Sequence, residues 1–517
     1  MSNLTHLIER AAQVSGSKAA TICNGRRKTY VEVRDRITRF ATALRSLGCN
    51  SDARVAVLAL NSDRYFEAYF AVPWAGCQIV PLNIRWSLEE NLYAVNDSET
   101  EILLFDDAFA DTARQILGRG ERVRRAVYIG EAEAPDWAEN YESLVENASP
   151  AANANVPPGS PMGVFYTGGT TGFPKGVLHS HLAVWSSGMT GVIDFEIGED
   201  ARYLHAAPMF HMADYALMVI TTIVSGTHVI VPMFDTVKVL SALQDEEVTH
   251  VVLVPAMIQM LLADPSIKNF DLSKLRRIIY GAAPITAAVL EKAMNTLPDT
   301  RFVQAFGQTE LAPLATILRP RHHFPGSPKL RSAGRATYCV NVKIVDEAGN
   351  EVPRGEVGEV VVRGPNAMLG YWNHPELTAE TLRDGWVHTG DAARMDEDGF
   401  IYIADRIKDM IITGGENVFS AEVENAISSH EHVADVAVIG IPSEEWGESV
   451  HAIVILNEGG KLTEVEIIAH CRERIAGYKC PKSVEFRFEP FPLSGANKVL
   501  KTELRKPHWR GHTREVN

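Results

Sequence analysis

Three consecutive segments constrain the fold more than anything else in this chain: RVAVLAL (54–60), NSDRYFEAYFAVPWAG (61–76) and QIVPLN (78–83). A continuous apolar run, an amphipathic stretch long enough for a helix and a second apolar run read as strand, helix, strand. Two strands joined by a helix pair in parallel, and a parallel sheet needs helices over both faces. The pattern recurs downstream in HVIVPM (228–233), the helical VKVLSALQDEE (237–247), HVVLVPA (250–256) and RRIIYGAAP (276–284). The expectation is therefore an α/β fold with parallel sheets. Before the first strand, Val33, Ile37, Phe40, Ala41, Leu44 and Leu47 recur on one helical face, and Gly48 marks its stop.

The pattern changes after about residue 335. CVNVKIVDEAGNEVPRGEVGEVVVRG (339–364) alternates in short runs separated by turn residues, the signature of a β-rich subdomain. Beyond DRIKDMIITGGENV the order becomes helix (421–430), strand (433–441), strand (451–458), helix (464–476) and strand (483–490), a small α+β unit. At 517 residues the chain exceeds one ordinary core. The expected division is a large N-terminal domain over 1–405 and a small C-terminal domain over 406–517.

Composition narrows the class. Apolar residues at 46% and charged residues at 22% fit a globular protein, and no apolar run reaches membrane-spanning length. Neither terminus carries a targeting signal that can be read, so the expected location is cytoplasmic. The six cysteines include no C-x-x-C pair, which argues against a zinc ribbon or a disulfide scaffold. A net charge of −15 without a basic block argues against nucleic acid as a partner. A homodimer is compatible with the sequence, which does not encode oligomeric state.

The stretch FYTGGTTGFPKGVLHSH (165–181) concentrates glycines, threonines and a lysine on one short turn. Such a turn offers backbone N–H groups, hydroxyls and an ammonium to phosphate oxygens. It is not a Walker A loop, because Lys175 is followed by Gly176 instead of Ser or Thr. Four companions follow in order: QAFGQTE (304–310), HTGD (388–391), DRIKDMIITGGENVFSAEVE (405–424) and PLSGANKVLK (492–501). Together the five motifs resemble the adenylate-forming superfamily of acyl-CoA synthetases, luciferases and peptide-synthetase adenylation domains, across nearly the whole chain.

The resemblance implies a small C-terminal domain that rotates about a hinge, and it implies roles for individual residues. Thr167, Gly168, Gly169, Thr170, Thr171, Gly172 and Lys175 would handle the ATP phosphates, with Gly168 departing from the commoner serine. Gly281, Ala282, Gln304, Ala305, Phe306, Gly307 and Thr309 would line the nucleotide, and Glu310 would hold Mg²⁺. Asp391 and Arg406 would contact the ribose, and Lys408 would be the hinge. Lys498 would stabilise the charge that develops at the α-phosphate, although Asn497 replaces the usual preceding glycine; Lys175 and His211 complete the catalytic set. Gly414 and Gly415 would approach coenzyme A, with Tyr478 and Lys479 of AGYKCPK near the thiol. The acid pocket would draw on His211 and Tyr215 near its entrance, Ala213, Gly281 and Ala305.

The reaction implied is that of an acid-CoA ligase: acid and ATP give acyl-AMP and pyrophosphate, then coenzyme A displaces AMP. Ala213 stands where ligases for hydroxycinnamates tend to carry an aromatic residue, which favours a fatty or other apolar acid. Ala305 in place of glycine narrows the same wall, a change worth about 1–3 kcal/mol in selectivity. The rivals are an aryl-acid ligase and a nucleotide-binding regulator without turnover. Both Glu310 and Lys498 argue against the regulator, since binding alone needs neither a metal ligand nor a transition-state cation.

Overall fold

The computed structural model describes residues 3–510 apart from 168–173, 284, 286, 407–408, 415, 444 and 494–498. The strand–helix–strand reading of the first segments holds. Arg54–Leu58 and Gln78–Pro81 pair in parallel, with Arg54 opposite Gln78. Between them Asp63–Ala75 is a helix whose start is capped by Ser62 accepting from the Tyr65 N–H. It stops at Gly76, whose φ of 89° is a conformation that glycine alone adopts without strain. The helix is buried all round, so its charged residues must be paired. Arg26 and Lys28 hold Asp63, and Lys28 and Arg36 hold Glu67.

Among the described residues the strands form four sheets. The first has nine, with a parallel run in the order Arg301–Phe306, Arg277–Gly281, His250–Leu253, Arg202–His205, Thr227–Ile230, Ala19–Cys23. The second has eight, centred on Pro161–Thr167, Gln78–Pro81, Arg54–Leu58, Ile102–Phe105 and Arg125–Tyr128. One apolar core joins Val55, Ile79 and Phe165 of the second sheet to Ala20 and Ile230 of the first, through Tyr65 and Tyr69 of the buried helix and Tyr215 of another, Met212–Ile223.

The β-rich subdomain is the third sheet, antiparallel, built on Asn341–Val345, Val357–Arg363, Trp386–Met395 and Ile401–Arg406. The fourth begins at Ile411–Thr413. It pairs Val433–Ser443 with Gly447–Leu456 along their length and adds Ser483–Phe486 in parallel. Helices Ser420–Ser428 and Glu464–Arg472 cover it, with Val423, Ile427, Ile467 and Cys471 in its own core. The protein is thus mixed α/β, with a large N-terminal and a smaller C-terminal domain. No described helix is long and apolar enough to cross a membrane.

Candidate active site

The glycine-rich stretch begins and ends on two paired strands. Pro161–Thr167 runs antiparallel to Lys175–Ser180, and Thr167 stands opposite Lys175. Both residues that flank the turn are therefore fixed by the strand ladder. Gly168, Gly169, Thr170, Thr171 and Gly172 lie outside the described residues.

A second element docks on the outer edge of this hairpin. Gly370–Tyr371 pairs with Lys175–Ser180, and the Trp372 N–H donates to the Gly176 carbonyl at 2.7 Å. Tyr371 then links the hairpin to the QAFGQTE motif. Its hydroxyl donates to Glu310 Oε1 at 2.6 Å, and Lys175 Nζ stands 5.8 Å from the centre of its ring. Burial, then the facing Glu310 carboxylate, push the Tyr371 phenol well above its ordinary range, so it stays protonated and donates. Below, the buried His179 lies 2.6 Å from the Thr309 carbonyl, an acceptor only, so Nε2 carries the proton. Burial lowers the His179 pKa to about 4, keeping the ring neutral.

Gln304 to Glu310 continue from the strand Arg301–Phe306 and remain half-buried, as do Gly281 and Ala282 at the end of the neighbouring strand. This places them at the carboxyl ends of parallel strands, where open α/β sheets receive ligands. Gly281 faces Ala305, and a Cβ on Gly281 would lie 2.1 Å from the Ala305 carbonyl oxygen. Gly307 is equally restricted by the Pro313 carbonyl oxygen. Ala282 adopts φ 63°, a left-handed conformation that alanine takes only where surrounding structure imposes it.

The HTGD motif lies in the third sheet. Asp391 is 5% exposed and sits opposite Arg406, whose Nε meets Asp391 Oδ1 at 2.7 Å. The strand is irregular in register here and is braced by its neighbour: Glu359 takes His388 Nδ1 at 2.7 Å and the Gly390 N–H at 2.9 Å. The two residues expected at the ribose thus form one unit. Next along the chain, Asp405 Oδ2 accepts the Ser420 hydroxyl at 2.7 Å, and Lys501 reaches Glu424 at 2.7 Å. Lys408, Gly415 and Lys498 lie outside the described residues.

His211 caps the helix Met212–Ile223, its Nδ1 accepting the Ala213 N–H at 3.2 Å, and both residues stay half-buried. Tyr215 needs correction. One helical turn further on, it points into the core, fully buried, with its ring 4.4 Å from Tyr69 and 5.3 Å from Phe165, so it does not stand at an entrance. Lys479 is also placed differently, both oxygens of Glu422 holding its ammonium at 2.8 Å, while Tyr478 beside it is exposed. Gly414, at φ 59°, packs under Trp446: a Cβ there would lie 2.7 Å from the indole. A surface cleft of about 440 Å³ opens beside Leu178, Tyr371, Trp372 and His374, on the hairpin and not at His211.

Sequence reasoning missed Tyr371 and His179. GYW (370–372) and the HSH that closes the glycine-rich stretch were the available signals. It also missed a buried network behind His211: Asp214 holds the Tyr203 hydroxyl at 2.7 Å and His205 Nδ1 at 2.6 Å, and His205 reaches His228 at 3.0 Å.

Residues 8–372 match the family described as AMP-binding enzyme, and residues 422–498 match its C-terminal domain. A feruloyl-CoA synthase of Amycolatopsis sp is 38% identical over 504 residues, covering 96% of this chain and 97% of that protein. A medium/long-chain-fatty-acid-CoA ligase of Mycobacterium tuberculosis is 34% identical, covering 99% of this chain and 91% of that one. Among solved structures, ATP-bound MatB from Rhodopseudomonas palustris superposes with a TM-score of 0.89 at 28% identity, covering 99% of this chain and 100% of that chain.

Proposed function

This chain belongs to the AMP-binding enzyme family, and we propose that within it the protein activates a largely apolar carboxylic acid as its acyl-AMP and passes the acyl group to coenzyme A. An AMP-forming acid-CoA ligase is the coarse activity; the acid, the metal and the residue roles are the proposal. In the first step a carboxylate oxygen attacks the α-phosphorus of ATP and pyrophosphate leaves. In the second the thiol sulfur attacks the acyl carbon, AMP leaves with the electron pair of the broken anhydride bond, and the thiol proton goes to solvent.

The observation that carries the reading is the link that Tyr371 makes between Lys175 and Glu310, with Thr167 paired opposite Lys175 and His179 against Thr309. Lys175 supplies positive charge beside the phosphate turn, and the Asp391–Arg406 pair is suited to the ribose, since a buried carboxylate accepts hydroxyl hydrogens well. Glu310 fits a hard cation: Tyr371 orients one oxygen and the carboxylate keeps a second, the donor type that Mg²⁺ takes. Mg²⁺ bound there would neutralise charge on the phosphates. Lys498 would serve the first step and withdraw when the domain over 406–517 turns about Lys408, the turn that brings Gly414 to the coenzyme A arm for the second.

The half-buried Ala213 beside His211 supports an apolar acid, while Ala305, opposite Gly281, adds a methyl that narrows the wall. An aryl acid of the hydroxycinnamate type is the second reading, favoured by the 38% identity to a feruloyl-CoA synthase. The test is AMP and pyrophosphate release from purified protein with Mg-ATP, coenzyme A and a panel of aliphatic and aryl acids. AMP that requires both one acid and coenzyme A supports the ligase and names its class. ATP binding without release for any acid refutes it.

A further inference from the structure

Outside the nucleotide site, one cluster of metal-ligating side chains lies on the fourth sheet. His451 is on the strand Gly447–Leu456, opposite Ser483 of the parallel strand Ser483–Phe486. Glu485, two residues further along that strand, shares the face of Ser483. His508 follows the helix Lys501–Arg505 and comes over the same face, its ring centre 4.9 Å from that of His451. One donor atom from each of His451, Glu485 and His508 lies within 4.8 Å of the others.

We propose that His451, His508 and Glu485 form a zinc-binding site in the C-terminal domain. The strongest sign is the state of His451, which is 6% exposed. Its Nδ1 meets the Ser483 hydroxyl at 2.7 Å, while its Nε2 is buried with no hydrogen-bond partner among the described residues. A buried ring nitrogen without a partner costs free energy, and a metal ion satisfies it. The arrangement is that of a ligating histidine, with one nitrogen fixed by an outer hydrogen bond and the other presented to the ion.

Two nitrogens and a carboxylate oxygen suit Zn²⁺, with a fourth position left for water. Zn–ligand bonds of about 2.0–2.1 Å would bring the donors to about 3.3 Å apart. Glu485 Oε2 lies 3.8 Å from His451 Nε2 and its side chain is half exposed, so it can close that gap by a rotamer change. His508 is already tethered: its N–H donates to the Arg505 carbonyl at 3.0 Å, and the next residue, Trp509, donates to the Gly440 carbonyl at 3.0 Å.

The consequence is mechanical. Glu485 and His508 bracket PLSGANKVLK in sequence, so the ion would fasten both ends of that segment to the strand carrying His451. Closing such a loop stabilises the folded domain by restricting the unfolded chain.

The test uses the full chain without a histidine tag, stripped with a chelator and titrated with Zn²⁺ against a chromophoric competitor. The expected result is one equivalent bound, with affinity falling about tenfold or more in Glu485→Gln and in His508→Gln, two variants at exposed or half-exposed positions that leave the core intact. Co²⁺ in place of Zn²⁺ should show visible d–d absorption that His508→Gln removes. Ser483→Ala should weaken binding while keeping all three ligands, which a purely structural role for Ser483 would not do. Absence of stoichiometric binding, or binding unchanged in both ligand variants, overturns the proposal.

Discussion

Replacing Tyr371 with phenylalanine removes one oxygen from the candidate site and nothing else. The ring stays under Lys175, the backbone pairing with Leu178 and Val177 stays, and the 2.6 Å bond to Glu310 Oε1 is lost. A hydrogen bond to a charged group contributes about 1.5–3 kcal/mol. Glu310 is half-buried, which favours the lower end, so the carboxylate loses orientation corresponding to about a tenfold effect. The assay is acid-dependent ATP–pyrophosphate exchange as a function of Mg²⁺ concentration. Tyr371→Phe should lower kcat/KM about tenfold and raise the Mg²⁺ needed for half-maximal rate, whereas Glu310→Gln should lose more. The double variant should be no worse than Glu310→Gln, because the hydroxyl acts only through the carboxylate. An unchanged Mg²⁺ dependence in Tyr371→Phe, with the fold intact, would refute the assignment of Glu310 as the metal ligand held by Tyr371.

Lys498→Ala should cost adenylation roughly 10²–10³-fold, the scale of one lost electrostatic donor. Thioester formation from supplied acyl-AMP should survive, and equal loss in both half-reactions counts against a lysine that serves only the first. Gly281→Ala puts a methyl 2.1 Å from the Ala305 carbonyl oxygen, so the strands must part at a cost of about 1–3 kcal/mol. KM for the acid or ATP should rise with it; wild-type values in a folded variant contradict the placement of this wall. His179 has a pKa of about 4 in the folded protein against 6.5 for an unperturbed ring, so the unfolded chain binds the proton first as pH falls. Its contribution is therefore complete above pH 6.5 and lost between there and pH 4, about 3 kcal/mol in all. Urea midpoints at pH 7.5 and 5 should fall less steeply in His179→Gln; identical slopes argue against a buried neutral ring.

How much of this was legible in the sequence depends on the range over which the signal acts. The run from Arg54 to Pro81 was readable because the apolar continuity of its strands and the helical stretch between them act within a few residues. The C-terminal strands and helices were readable for the same reason. The pairing Tyr371–Glu310 spans 61 residues and His179–Thr309 spans 130, so no local pattern announces either. Tyr215 shows the converse error. Its position near His211 in sequence suggested a shared role, but four residues turn a helix back on itself only when both side chains point the same way. Here His211 precedes the first helical turn as its cap, and Tyr215 turns instead toward Tyr69 and Phe165.

The same logic explains why the motifs carried the reading as far as they did. Thr167 and Lys175 face each other at the ends of two paired strands, Thr309 opens a single helical turn, and Asp391 lies within a strand opposite Arg406, so the backbone fixes where each side chain starts. Lys479 is a long, flexible side chain on an irregular segment, and its ammonium went to the nearest carboxylate, Glu422, instead of staying open to a ligand. The acid pocket is the extreme case, because the selectivity proposed for it would rest on side chains as small as Ala213 and Ala305. If Ala213 lines the proposed pocket, exchanging it for an aromatic residue should shift the ratio of kcat/KM between aryl and aliphatic acids by about 10–200-fold, and an unchanged ratio argues against that placement.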